Sequence, residues 1–121
     1  MTTHIHQVKV APKDQRTHNG VVYPSKAECT RAMELDLLVM ASDIRGWGRQ
    51  VQIPLGADFR TAVDFVVFKW DGTFRLEEVK GVETTDFKTV RRLWPKYGPG
   101  KLHILKRTRT GWNTETLGGR P

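Results

Sequence analysis

Hydrophobic and polar positions change period several times along the chain, and each change marks an element. The stretch FRTAVDFVVFKW, from about Phe59 to Trp70, is the longest β-prone apolar run. Asp71-Gly72 supplies its turn, Thr73 to Lys80 returns as a partner strand, and Gly81 ends it. Upstream, RQVQIPL alternates as a strand ending at Pro54, and Asn19-Gly20 before VVY is a hairpin signal. Two stretches carry the helical period instead. One starts at Ser25, a good N-cap with Glu28 three residues on, and is expected to run to about Ile44 before GWG breaks it. The other, TTDFKTVRRLW, has a cap and apolar spacing and is expected to stop near Pro95. KLHIL makes a last short strand.

This order of elements predicts an α/β domain whose mixed sheet is flanked by helices, without internal repeats. At 121 residues the chain suits one core. Residues 1–15 read as a loose arm or edge strand, 16–105 as the single domain, and 106–121 as a basic tail without period. His4 and His6 in the arm have no third ligand nearby and read as unspecific.

Composition narrows the class. Charged residues make up 27% and apolar ones 38%, and no window approaches the roughly 20 apolar residues of a membrane span. The lone Cys29 excludes an intrachain disulfide framework, and the start lacks the pattern of a secretory signal, so a cytoplasmic location is the expectation. Twenty Lys and Arg against thirteen Asp and Glu give a net charge of +7, which points to a polyanionic partner, nucleic acid first.

The candidate chemistry lies in the hairpin. Alternation puts Asp64, Val66 and Phe68 on one face of their strand and Leu76, Glu78 and Lys80 on one face of the next. Whether the two sets meet depends on the turn. A two-residue loop at Asp71-Gly72 places Asp64 opposite Val79, and the carboxylates diverge. A three-residue loop, Trp70 to Gly72 with Gly72 left-handed, places Asp64 opposite Glu78. Opposed positions lie about 5 Å apart at Cβ, where two carboxylates repel unless a cation or a proton stands between them. Glu77 projects to the other face and reads as the solvated member of the pair.

Glu28, Ala32, Leu35 and Val39 fall on one line of the first helix, which aims Glu28 inward, although a capping box with Ser25 explains the same residue without chemistry. Three carboxylates and Lys80 around one point suit phosphodiester hydrolysis. Hard oxygen ligands select Mg²⁺ or Mn²⁺, and a lysine two residues from Glu78 can hold the attacking water or stabilise developing charge. In the second helix Phe87, Val90 and Trp94 have core spacing, leaving Lys88, Arg91 and Arg92 for phosphates or for water. Arg107, Arg109 and Trp112 in the tail carry the same two readings.

The ordered set of Glu28 in SKAE, Asp64 in AVDF, and Glu78 and Lys80 in EVKG resembles the PD-(D/E)XK nuclease superfamily, in particular small phage-encoded members related to the resolving endonuclease I group. It spans roughly residues 20–105, with Val63 where the superfamily's name puts proline. The resemblance implies a restriction-endonuclease-like core, Mg²⁺ (or Mn²⁺) held by Asp64, Glu78 and Glu28, and a DNA substrate. It also implies a polar residue on the preceding strand, Gln50 or Gln52, with Gln52 nearer the apolar IPL run. Branched DNA, as for a Holliday junction resolvase, would require two symmetric cuts and hence a homodimer. The rival expectation is a DNA-binding accessory protein with the same fold and no cleavage, and RNA is a third partner the sequence leaves open.

Overall fold

A computed structural model of the protein describes residues 10–121, so His4 and His6 lie outside the described residues. After a turn of 3₁₀ helix at Lys13–Arg16, β1 (Thr17–His18) and β2 (Val21–Val22) form a small hairpin. Its turn is the expected one, with Asn19 and Gly20 both at positive φ (49° and 78°) as a two-residue hairpin loop requires. Helix α1 (Lys26–Met40) follows, then β3 (Gly46–Pro54), β4 (Arg60–Phe68), β5 (Phe74–Val79), helix α2 (Thr85–Tyr97), β6 (Leu102–Arg107) and β7 (Trp112–Leu117).

The sheet has the order β3-β4-β5-β6-β7. Only β5 and β6 run parallel, joined through α2, so the sheet is mixed and the class is α/β. Each face buries one helix. Cys29, Ala32 and Leu35 of α1 pack with Phe65, Val67, Val79 and Leu105. Phe87, Val90 and Trp94 of α2 pack with Val66, Leu76, Leu102 and Ile104. Residues of opposite parity on β4, β5 and β6 therefore fill opposite cores, as an alternating strand buried on both faces must. No helix among the described residues is long and apolar enough to cross a membrane.

Several boundaries differ from expectation for physical reasons. Helix α1 stops at Met40 because the chain reverses at Ser42 (φ 61°), with the Asp43 N–H donating to the Leu38 carbonyl, and this drops Ile44 into the core. The GWG segment enters β3 rather than a break: Gly46 and Gly48 pair with Phe68 and Val66, while the Trp47 ring meets Phe65 edge-on at 5.6 Å. Helix α2 runs two residues past Pro95. That proline has no N–H to offer the Arg91 carbonyl, and the last turn is closed by the Gly98 N–H on the Trp94 carbonyl (2.7 Å). Gly98 is also a steric necessity, since a Cβ there would lie 2.4 Å from the Trp94 ring. The segment expected as a periodless tail forms β7, paired along its whole length with β6.

The β4–β5 hairpin takes the three-residue loop. Phe68 pairs with Phe74, Val66 with Leu76 and Phe65 with Glu77, and the Lys69 N–H donates to the Thr73 carbonyl (2.9 Å) to close the turn. Gly72 has φ 87°, the left-handed residue this loop needs. One step beyond Phe65 and Glu77, Asp64 lies across from Glu78.

Candidate active site

The regular ladder between β4 and β5 ends at Phe65 and Glu77, and side chains take over. The Asp64 backbone N–H donates to Glu78 Oε1 (3.0 Å), and the Val79 backbone N–H donates to Asp64 Oδ2 (2.9 Å). Each carboxylate thus satisfies a backbone donor of the opposite strand. This fixes both side chains without neutralising either, because an N–H carries only a partial charge. Asp64 and Glu78 are both buried, at 9% and 6% exposure.

Lys80, two residues past Glu78, places Nζ 3.0 Å from Glu78 Oε2 and 4.3 Å from the centre of the Phe87 ring on α2. Its own N–H is held by the Leu105 carbonyl. The ammonium is therefore gripped from two sides, one anionic and one aromatic.

Glu28 arrives from the first turn of α1. Ser25 Oγ accepts the Glu28 N–H (3.1 Å), the first half of a capping box. The reciprocal half is absent. Instead the Glu28 carboxylate is buried and turned towards Arg49 of β3, whose Nη2 is 3.6 Å from Oε2, too long for a hydrogen bond. Glu28 Oε2 and Arg49 Nε are buried polar atoms without a hydrogen-bond partner among the described residues. Glu28 and Lys80 line one cleft of about 490 Å³, with Ser25, Val79 and Gly81 on its wall.

Electrostatics follow from this crowding. Burial, then the charges of Glu78 and Glu28, push the Asp64 carboxyl up to about 8. Burial likewise raises Glu28, against the opposing pull of Arg49. In the metal-free protein near neutral pH, a proton on Asp64 therefore relieves the repulsion between facing carboxylates. A divalent cation would relieve it equally, and the donor set, carboxylate oxygens with one buried oxygen unpartnered, fits a hard ion such as Mg²⁺ or Mn²⁺. Among the described residues no three His, Cys, Asp or Glu side chains converge as a ready-made metal cage, so such an ion would have to draw Glu28 towards the other two.

Other candidates are placed differently. Glu77, read as solvated, is fully buried under α1, where it accepts from Arg31 Nε (2.7 Å), Arg31 Nη2 (2.8 Å) and Arg75 Nε (2.9 Å). The sheet has no solvated face at that position, so the charge had to be paired. Arg91 is committed to Glu83 and Glu115 through four hydrogen bonds of 2.5–2.8 Å and is not free for phosphates. Lys88 and Arg92 are exposed on α2, and Arg107 and Arg109 are exposed at the β6–β7 turn. Arg107 packs over the Trp112 ring at 5.2 Å. Gln52 pairs with Ala62 and faces solvent; Gln50, between the pairs Arg49–Phe65 and Val51–Val63, is the glutamine across from Asp64, with a left-handed backbone (φ 57°).

Arg49 is the site residue that sequence reasoning missed. Its signal was weak but present: it stands one residue before Gln50, on the strand that flanks Asp64. Comparison with family models, with characterised proteins and with solved structures finds no match for this chain.

Proposed function

We propose that this protein is a metal-dependent DNA endonuclease with a restriction-endonuclease-like core. The observation that carries this reading is the interlocked pair of Asp64 and Glu78, two buried carboxylates facing each other across splayed strands with Lys80 3.0 Å from the second. A fold gains nothing in stability from two such charges facing one another, whereas phosphodiester hydrolysis needs them.

In this reading Asp64 and Glu78 are the primary ligands of Mg²⁺ or Mn²⁺, and the bound ion supplies Lewis acidity at the phosphoryl group. Glu28, its affinity for a proton raised by burial, either completes the ligand set or orients the attacking water and accepts its proton. Lys80, clamped between Glu78 and the Phe87 ring, places a positive charge where negative charge develops on the phosphoryl oxygens. The exposed Lys88, Arg92, Arg107 and Arg109 supply phosphate contacts, consistent with the net charge of +7. Branched DNA is the favoured substrate within this class. Cutting it symmetrically calls for a twofold dimer, and the exposed apolar line Met33, Leu37 and Met40 on α1 is the surface that such a pairing covers.

The test is incubation of supercoiled plasmid and a labelled four-way junction with the protein in Mg²⁺ or Mn²⁺, against EDTA. Metal-dependent nicking that disappears in Glu78→Gln and Lys80→Ala is the expected result, with faster cutting of the junction if branches are preferred. Tight DNA binding without cleavage under any divalent ion would replace the enzyme with a binding protein.

A further inference from the structure

The carboxylate cluster holds a second cation that its own ion pairs do not use up. Arg49 pairs with Phe65 in the β3–β4 ladder, and its guanidinium carbon lies 4.5 Å from the centre of the Tyr23 ring. The ring sets the plane of the guanidinium, so its donors point in fixed directions. Yet among the described residues its buried Nε–H has no acceptor, and Glu28 Oε2, 3.6 Å from its Nη2, is equally unpartnered. Arg31, on the same face of the sheet, shows what a satisfied arginine of this fold looks like: its Nε, Nη1 and Nη2 all donate to carboxylates at 2.7–3.0 Å.

Charge balance points the same way. Glu28, Asp64 and Glu78 against Lys80 and Arg49 leave one negative charge when all are ionised. A divalent ion turns this into one positive charge, the amount a single phosphodiester neutralises. A planar guanidinium that is stacked and pre-oriented, with the side chain still 30% exposed and its two Nη groups not among the buried atoms, also presents a fork that matches two phosphate oxygens at once.

We propose that Arg49 grips a phosphate of the bound DNA beside the bond to be cut, with Glu28 holding it in place until the DNA enters. This rests on the phosphodiesterase reading of the site. It assigns Arg49 a substrate contact and gives Glu28 a second duty as its resting partner.

The test is fluorescence anisotropy with a labelled duplex, in Ca²⁺ and in EDTA, over a series of salt concentrations. Wild type is compared with Arg49→Ala, Arg49→Lys, Glu28→Gln and the double variant Glu28→Gln/Arg49→Ala. Losing one charged hydrogen-bonding contact is expected to weaken binding about tenfold for Arg49→Ala. It should also lower the salt slope by about one, the share of one phosphate. Arg49→Lys should recover the slope and only part of the affinity, because an ammonium cannot make the forked contact. Glu28→Gln is expected to tighten DNA binding in EDTA, an effect that vanishes in the double variant.

If Arg49→Ala does not fold, the partial loss in Arg49→Lys carries the test. Wild-type affinity and slope in the Arg49 variants, with only calorimetric Ca²⁺ affinity changed, would make Arg49 a mere counter-ion of Glu28. Plasmid cleavage by wild type would then leave the nuclease reading standing. A wild type that neither binds nor cuts DNA would remove both.

Discussion

Glu77 and Glu78 are neighbours on β5, equally buried at 0% and 6% exposure, and they teach opposite lessons. On the α1 side, Glu77 is enclosed by Arg31 and Arg75, and Arg31 in turn is shared with Glu34, which accepts the Trp112 indole N–H. None of the buried polar atoms of that network is left without a partner. Glu78, by contrast, faces a second carboxylate, has one lysine, and shares a cluster with two polar atoms that have no partner among the described residues. A closed network stabilises; an open one stores affinity for something not yet bound. The same strand thus carries a fully paired charge and, one residue on, the charge to which the proposed function assigns a metal ion.

The largest effect that sharpens this contrast is on activity. Asp64→Asn and Glu78→Gln keep an oxygen acceptor for the Val79 and Asp64 N–H groups but remove the charges that would hold the ion. Cleavage should fall by about 10²- to 10³-fold, the range seen when a main electrostatic contributor is lost. The thermal midpoint should stay level or rise, since repulsion is removed. A large drop in midpoint for both variants would show that the pair is structural and erase the contrast.

Glu77→Gln is the mirror experiment. It leaves Arg31 and Arg75 facing a neutral amide in a buried site, and breaking one partner of a buried ion pair typically costs about 3–5 kcal/mol. For a domain of this size the expected fall in midpoint is roughly 10 °C or more. Cleavage per folded molecule, measured well below that midpoint, should be close to wild type. Loss of activity in the fully folded variant would make Glu77 part of the site.

The pH dependence of the metal-free protein tests the open side alone. Asp64 titrates at about 8 when folded, against an ordinary value of 3.8, so the folded state binds its proton more tightly than the unfolded chain. Stability from this group is therefore fully present below about pH 4 and is lost as pH rises towards 8, at up to about 1.4 kcal/mol per pH unit. Denaturant titrations in EDTA between pH 5 and 8 should show that decline in wild type and a flatter profile in Asp64→Asn. Divalent-ion affinity should move the other way, rising with pH until Asp64 is ionised.

How much of this was legible depended on where each signal resides. The turn chemistry of Trp70 to Gly72 fixes the register, and the register brings Asp64 across from Glu78, so local sequence reached the heart of the site. Glu77 was misjudged because alternation tells which face a residue takes and not what covers that face; Arg31, whose side chain covers it, is 46 positions away. β7 was missed for a related reason. Its middle, Asn113 to Thr116, is exposed, and an edge strand held by pairing with β6 has no apolar period to read. Arg49 escaped because a single arginine on a polar stretch of strand looks like any solvated one until Tyr23 and Glu28 are folded against it.

Arg91 offers the smallest effect and the finest division between the two kinds of charge. From sequence it shared one helix and one expectation with Lys88 and Arg92. In the fold it bridges Glu83, just before α2, to Glu115 on β7, while its guanidinium lies 5.3 Å from the Phe87 ring that also supports Lys80. It therefore fastens the edge strand to the helix and has no donor edge left for a phosphate, whereas Lys88 and Arg92 are exposed. Arg91→Ala should lower the midpoint slightly and loosen β7, seen as faster amide exchange at Thr114 to Thr116, with DNA affinity nearly unchanged. Lys88→Ala and Arg92→Ala should each weaken binding severalfold across unrelated sequences and cut the salt slope by about one, with no change in midpoint. Because all three substitutions remove one positive charge from the same helix, a uniform loss of affinity would mean that only net charge attracts DNA. A loss confined to Lys88 and Arg92 would mean that the protein distinguishes charges it spends on folding from charges it keeps for a ligand.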